Sequence, residues 1–173
     1  SGGSGNQGIV AILVPYNVGK YFNIDEQTII RSIALSHLVN SYVKCYTGEL
    51  SPLCGCAIAS GVGAACAIVY QQKKGAAIEQ MSLAVNNVIA DLGGMLCDGA
   101  KSGCALKVAS STESAILSAY MAINDHGITE KEGFVGRSAE QTIQNLGQIG
   151  KLGMAGADNT MLAIMLAKLQ TPL

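Results

Sequence analysis

Apolar residues recur along this chain at steps of three and four, the period of a helix that buries one face. After an opening "SGGSGNQG", which reads as a polar loop, "IVAILVPYNVGKYF" keeps that period, with Pro15 and Gly19 as weak spots. Asn23 is the next candidate N-cap, with Asp25 and Glu26 in the first turn, where carboxylates favour the positive end of a helix. Ile29, Ile30, Ile33, Ala34 and Leu38 predict the inward side of that helix, and Gly48 its end. From Ala57 to Tyr70 the side chains are small, which predicts a central helix. Another helix is predicted from about Ala76 to Asp91, its apolar set including Ile78, Met81, Leu83, Val85, Val88 and Ile89. Ser110 with Glu113 and Ser138 with Gln141 fit capping boxes. His126 and Gly127 close the first of the helices these boxes start, "ITEKEGFVGR" reads as a polar connection, and the last helix is predicted over Ala157 to Leu169. No stretch alternates with the two-residue period of a strand. The pattern predicts an all-α fold, a single domain of about seven helices over residues 1–173.

Composition sharpens this picture. Hydrophobic residues make up 49% and charged ones 13%, with 21 Gly and no Trp, so small side chains replace aromatic bulk and suit closely packed helices. A formal net charge of −1 and the lack of a basic stripe exclude a nucleic-acid partner. Mean hydropathy is high at +0.34. No apolar run reaches the roughly 18 residues of a membrane span, so no membrane is expected and the surplus points to surface covered by a missing domain or partner. The chain begins without Met, which predicts a fragment of a longer protein. Six cysteines in no regular spacing, with no secretion signal, predict a reducing cytoplasm rather than a disulfide framework.

The cysteines carry the candidate chemistry. Cys54 and Cys56 stand in "LCGCAIASGVGAAC", and Cys97 and Cys104 in "GMLCDGAKSGC". Thiolates in glycine-rich turns at helix starts suit a soft metal or an iron–sulfur cluster. A loop across Asp98, Gly99 and Gly103 can turn Cys97 and Cys104 toward one point. A helical hairpin would return one of the earlier pair to the same end. Three thiolates would leave one iron of a four-iron cluster open as a Lewis acid. The alternatives are a zinc site completed by Cys54 or His37, and a metal-free interaction domain in which the thiols only pack. Cys45 and Cys66, at helical positions among apolar neighbours, are expected in the core.

The opening segment is a candidate anion site. Backbone N–H groups before a helix start, with Ser4, Gly5, Asn6 and Gln7, would cradle a substrate carboxylate. Lys101 and Asp98 share the loop of two candidate thiol ligands, and a lysine held neutral there would abstract an α-proton. His37, mid-helix in "ALSHLVN", is a further candidate base, although a lone helical histidine is more often a satisfied core residue. His126 reads as a helix cap.

"SGNQGI", "LSHL", "LCGCAIASGVGAAC" and "NVIADLGGMLCDGAKSGCALK" together resemble the serine dehydratase-like α-chain proteins. Within these the chain is similar to the UPF0597 group, which takes in oxygen-sensitive L-cysteine desulfidases, and more distantly to iron–sulfur L-serine dehydratases. The resemblance spans most of the chain. It implies a 4Fe-4S cluster held by Cys97, Cys104 and one of the "CGC" pair. Cys56 follows Gly55 as in the corresponding "GC" turn and is the choice, with Cys54 as the fallback. The implied reaction is α,β-elimination, L-cysteine giving sulfide, ammonia and pyruvate, with L-serine as the alternative substrate and no pyridoxal phosphate. Family members are roughly twice as long. The chain therefore resembles the C-terminal, cluster-binding half. The absent N-terminal half is the expected partner, and a second copy could cover the apolar face as a homodimer.

Overall fold

A computed structural model describes residues 4–75 and 77–169. Among them run seven helices: α1 (Gly5–Tyr21), α2 (Glu26–Thr47), α3 (Ile58–Gln72), α4 (Ile78–Leu92), α5 (Cys104–Ile123), α6 (Ala139–Gln148) and α7 (Ala157–Leu169), with a π-type turn at Ile149–Gly153 before the last. The all-α expectation holds, and the described residues form no strand beyond one isolated bridge, Leu53 with Leu96. No helix among them is long and apolar enough to cross a membrane.

The architecture is built around α3. Every residue from Ile58 to Val69 is buried, and α1, α2, α4 and α5 all pack on it. A helix enclosed on all sides must carry small side chains where its neighbours come closest. Gly63 is the tightest point: a Cβ there would lie 2.3 Å from the Ser36 carbonyl oxygen of α2. Gly61 would likewise press on Ser111 of α5 at 2.9 Å.

This contact corrects the expected face of α2. Its buried stripe is Ile29, Ser32, Ser36, Asn40, Val43, Lys44 and Thr47, while Ile30 and Leu38 are exposed. Small polar residues face α3 because their backbone must approach a glycine, and the larger aliphatics turn outward. Ser32 satisfies itself on Ile29 O at 2.7 Å and receives Gln71 Nε2 at 2.7 Å. Gln71 also donates to Pro15 O at 2.8 Å, so one amide ties α1, α2 and α3 together.

Other expectations shift at element ends. The supposed polar loop is already helix: Ser4 caps α1, so Gly5, Asn6 and Gln7 form its first turn. Pro15 and Gly19 do not interrupt α1. Gly19 is required there, since a Cβ would meet Ile29 Cγ1 at 2.6 Å. Asn23 is no cap but a left-handed turn residue (φ 54°), and Asp25 caps α2 by accepting from Thr28 N at 2.9 Å. Ser110 lies inside α5, bonded back to Leu106 O at 3.1 Å, and the helix starts six residues earlier at Cys104. Ser138 does cap α6, while Gln141 returns a bond to Arg137 N at 2.9 Å. His126 N closes α5 on Met121 O at 2.9 Å, as expected. Ile78 is exposed rather than part of the α4 face. The expected start of that helix at Ala76 lies outside the described residues.

Among the described residues two apolar helix faces stand exposed. On α1, Ile9, Ile12, Leu13 and Tyr16 form an exposed stripe. No residue of α7 is buried, although it carries Leu162, Ile164, Met165, Leu166 and Leu169.

Gly63→Ala is expected to destabilise the chain by about 2–3 kcal/mol, because a backbone carbonyl cannot swing aside as a side chain would. Urea unfolding followed by far-ultraviolet circular dichroism checks this against Gly5→Ala, where a Cβ meets nothing within 4 Å.

Candidate functional site

The two cysteine loops meet through the single bridge. Cys54 N donates to Met95 O at 2.9 Å and Cys97 N to Pro52 O at 2.7 Å, so the turn entering α3 and the loop entering α5 lie side by side. The start of α1 joins them, because Gly55 leaves room for Gln7: a Cβ at residue 55 would be 2.8 Å from Gln7 Nε2. Three helix N-termini, of α1, α3 and α5, therefore border one cavity of about 610 Å³. Ser4, Gly5, Asn6, Gln7, Cys54, Cys56, Cys97 and Cys104 all line it, so eight of the sequence-derived candidates are brought together.

Cys56 is the activated thiol. It shares a 3.3 Å hydrogen bond with the Ser4 hydroxyl. The bond from the buried Cys54 thiol, then that from Ser4 and the charge of Lys107, hold Cys56 down to about 5 against the upward push of burial. Cys54 is correspondingly held protonated, since it donates to Cys56 and is itself buried. Cys104 contacts Gly99 O at 3.5 Å at the mouth of α5. Cys66 is core as expected, and burial pushes its thiol up to about 12. Cys45 is not: it is exposed on α2, bonded to Ser41 O at 3.4 Å, because the inward stripe of that helix runs through Val43 and Lys44 instead.

The proposed bases sit elsewhere. Asp98 and Lys101 form an ion pair with each other and line a separate cavity of about 810 Å³ beneath α7. Hydrogen bonds from Lys101 and Lys107 hold Asp98 far below the usual carboxylate range. His37 is half-buried on α2 and lines neither cavity, and partial burial holds it below the usual imidazole range.

Lys107 escaped the sequence reading, although it stands one turn after Cys104 in "GCALK". Its Nζ donates to Leu96 O at 2.6 Å and to Asp98 Oδ1 at 3.0 Å. Partial burial pulls its pKa down, but the Asp98 bond and the thiols Cys54 and Cys97 raise it above the ordinary lysine value.

The donor set suits an iron–sulfur cluster. Cysteine sulfurs line a cavity large enough for a cube of iron and sulfide, and Cys56 among them is held charged by its neighbours. Among the described residues no three of His, Cys, Asp and Glu close on a single ion.

A sequence profile described as the serine dehydratase alpha chain matches residues 1–163. A UPF0597 protein of Geobacter sulfurreducens is 69% identical over 171 residues, 99% of this chain and 40% of that protein. One of Elusimicrobium minutum is 64% identical, covering 98% of this chain and 40% of the other. One of Alkaliphilus oremlandii is 46% identical, covering 96% and 38%. The chain thus spans about 40% of the length of the curated relatives it matches. No solved structure matches it.

In the metal-free chain, Cys56 is expected to alkylate fastest, with a rate that is flat at neutral pH and falls only in acid, as its thiolate protonates. Cys54→Ala removes the largest stabilising bond and moves that fall toward the ordinary thiol value of about 8.5. Iodoacetamide labelling across pH, read by peptide mass spectrometry, checks both.

Proposed function

The chain belongs to the serine dehydratase alpha chain family, and from that premise we propose that it is the cluster-binding part of a cytoplasmic iron–sulfur lyase. The reaction is α,β-elimination, in which L-cysteine and water give pyruvate, ammonia and sulfide. L-Serine, losing water in place of sulfide, is the alternative substrate of the same chemistry. The observation that carries this reading is the meeting of the thiols with the N-terminus of α1 in one cavity.

In this reading Cys56, Cys97 and Cys104 hold a 4Fe-4S cluster, and Cys54 supports Cys56 with a hydrogen bond. When bound, the cluster supplies a Lewis-acidic iron that weakens the bond to the substrate's β-substituent. The first turn of α1 presents N–H groups with no helical partner, and its dipole favours an anion, so the substrate carboxylate rests on Gly5 and Asn6 beside the Ser4 hydroxyl. Gln7 is 5% exposed and its Oε1 has no hydrogen-bond partner, which suits it to accept from the substrate ammonium. Held at both ends, the amino acid points its β-carbon toward the thiol side.

Asp98 and Lys101 engage each other, so in this conformation they shape the loop, and the α-proton passes to a group from the rest of the longer protein. That remainder, absent from the 40% spanned here, is also the proposed cover for the α1 stripe and α7, with a second copy as the alternative.

Anaerobic incubation with iron and sulfide is expected to give the broad visible absorbance of a four-iron cluster. Cys97→Ala, Cys104→Ala and Cys56→Ala each abolish it, whereas Cys54→Ala keeps it at reduced stability. Equal iron uptake by all four variants, or no cluster in the unaltered chain, contradicts the reading.

A further inference from the structure

Lys107 connects the two cysteine-bearing elements. It rises from the first turns of α5, three residues after Cys104. Its ammonium is bonded to the carbonyl of Leu96 at 2.6 Å and to the carboxylate of Asp98 at 3.0 Å, the residues on either side of Cys97. One side chain therefore brackets one thiol from the helix that begins with the other. The side chain is only 20% exposed, against 51% for Lys101, so this cation is held rather than solvated.

Lysines of this kind have a bland explanation, a stem lying along apolar surface with its head in water. Lys107 departs from it, because its head is spent on two acceptors flanking a single cysteine. A half-buried thiolate such as Cys56 loses part of its hydration, and a fixed ammonium lowers that cost most when it is withdrawn from solvent.

We propose that Lys107 is a positioning residue for the thiol site, stapling the Cys97 loop to the start of α5 and placing a fixed positive charge beside the thiols. The proposal rests on reading these thiols as the functional centre, but it concerns the chain's own residues and holds before any cluster is bound. Lys101, whose ammonium faces Asp98 from the exposed side, does not share the role.

The test is made on the metal-free chain with two small alkylating reagents, neutral iodoacetamide and anionic iodoacetate. The ratio of their rates at one cysteine reports the local potential, and the exposed Cys45 serves as internal reference. Lys107→Met is expected to lower the iodoacetate-to-iodoacetamide ratio at Cys97 and Cys56 by about 3- to 10-fold. Lys107→Arg should keep it near the unaltered value, and Lys101→Met should change it less than twofold. A merely structural lysine would change both rates together and leave the ratio untouched. Circular dichroism confirms folding. Should the methionine variant fail to fold, Lys107→Gln, which retains an N–H donor toward Leu96 and Asp98, carries the same expectation.

An unchanged ratio in the folded uncharged variant, or an equal fall in Lys101→Met, overturns the proposal. Because no metal enters, failure of cluster reconstitution would remove the lyase reading and leave this result standing. Conversely, a cluster that assembles equally well with an unchanged ratio would sink the lysine and spare the lyase.

Discussion

Close approach to α3 is the constraint on which the rest depends. Buried along its length, that helix accepts neighbours on every side only because glycine, alanine and serine let backbones come near. The consequence runs outward. Ser36 must be small because Gly63 faces its carbonyl, and so α2 turns a polar stripe inward and its aliphatics to solvent. That stripe leaves Asn40 buried with neither amide atom partnered, an unusual cost for an interior. Ser36 opposes Gly63, and α2 runs antiparallel to α3. Asn40, one turn further along α2, therefore lies toward the thiol end of the molecule, where buried polar atoms can be met by a ligand or ordered water.

The same packing creates the site. Because α1 and α3 lie side by side with Gly55 against Gln7, the first turns of both helices open onto one space. The Leu53–Leu96 bridge then brings the α5 entry alongside. Helix starts collect unpaired N–H groups and positive potential, and thiolates and carboxylates are the groups such potential favours. The low pKa of Cys56 follows from the hydrogen bonds of Cys54 and Ser4 and the charge of Lys107, against the opposing effect of burial. Two neighbouring thiols thus divide the work: the more buried Cys54 keeps its proton and donates, and the less buried Cys56 carries the charge.

Much of this was legible in the residues. The Gly/Ala run names the central helix, the absence of two-residue alternation excludes sheets, and the glycine-flanked cysteines name the site. What escaped depends on tertiary contact. Hydrophobicity alone places Ile30 and Leu38 inside α2, and nothing local announces that a glycine on another helix reserves the inward face for serine. Ser110 and Glu113 satisfy a capping pattern, yet the α5 surface packed on α3 extends back toward Cys104, and tertiary packing overrides the local signal. Lys101 drew notice for lying between two cysteines in sequence. Lys107, about one turn after Cys104, is bonded to both sequence neighbours of Cys97, a link only the fold reveals. The exposed Leu and Ile of α1 and α7 were legible only as surplus hydropathy.

The most direct measurement is Mössbauer spectroscopy of the chain reconstituted anaerobically with the iron-57 isotope, before and after addition of L-cysteine or L-serine. Three cysteine ligands predict one iron distinct from the other three, with its signal alone shifting when the amino acid binds. Four equivalent irons that ignore the amino acid, or iron held outside any cluster, would contradict the assignment of this cavity as the centre of a lyase.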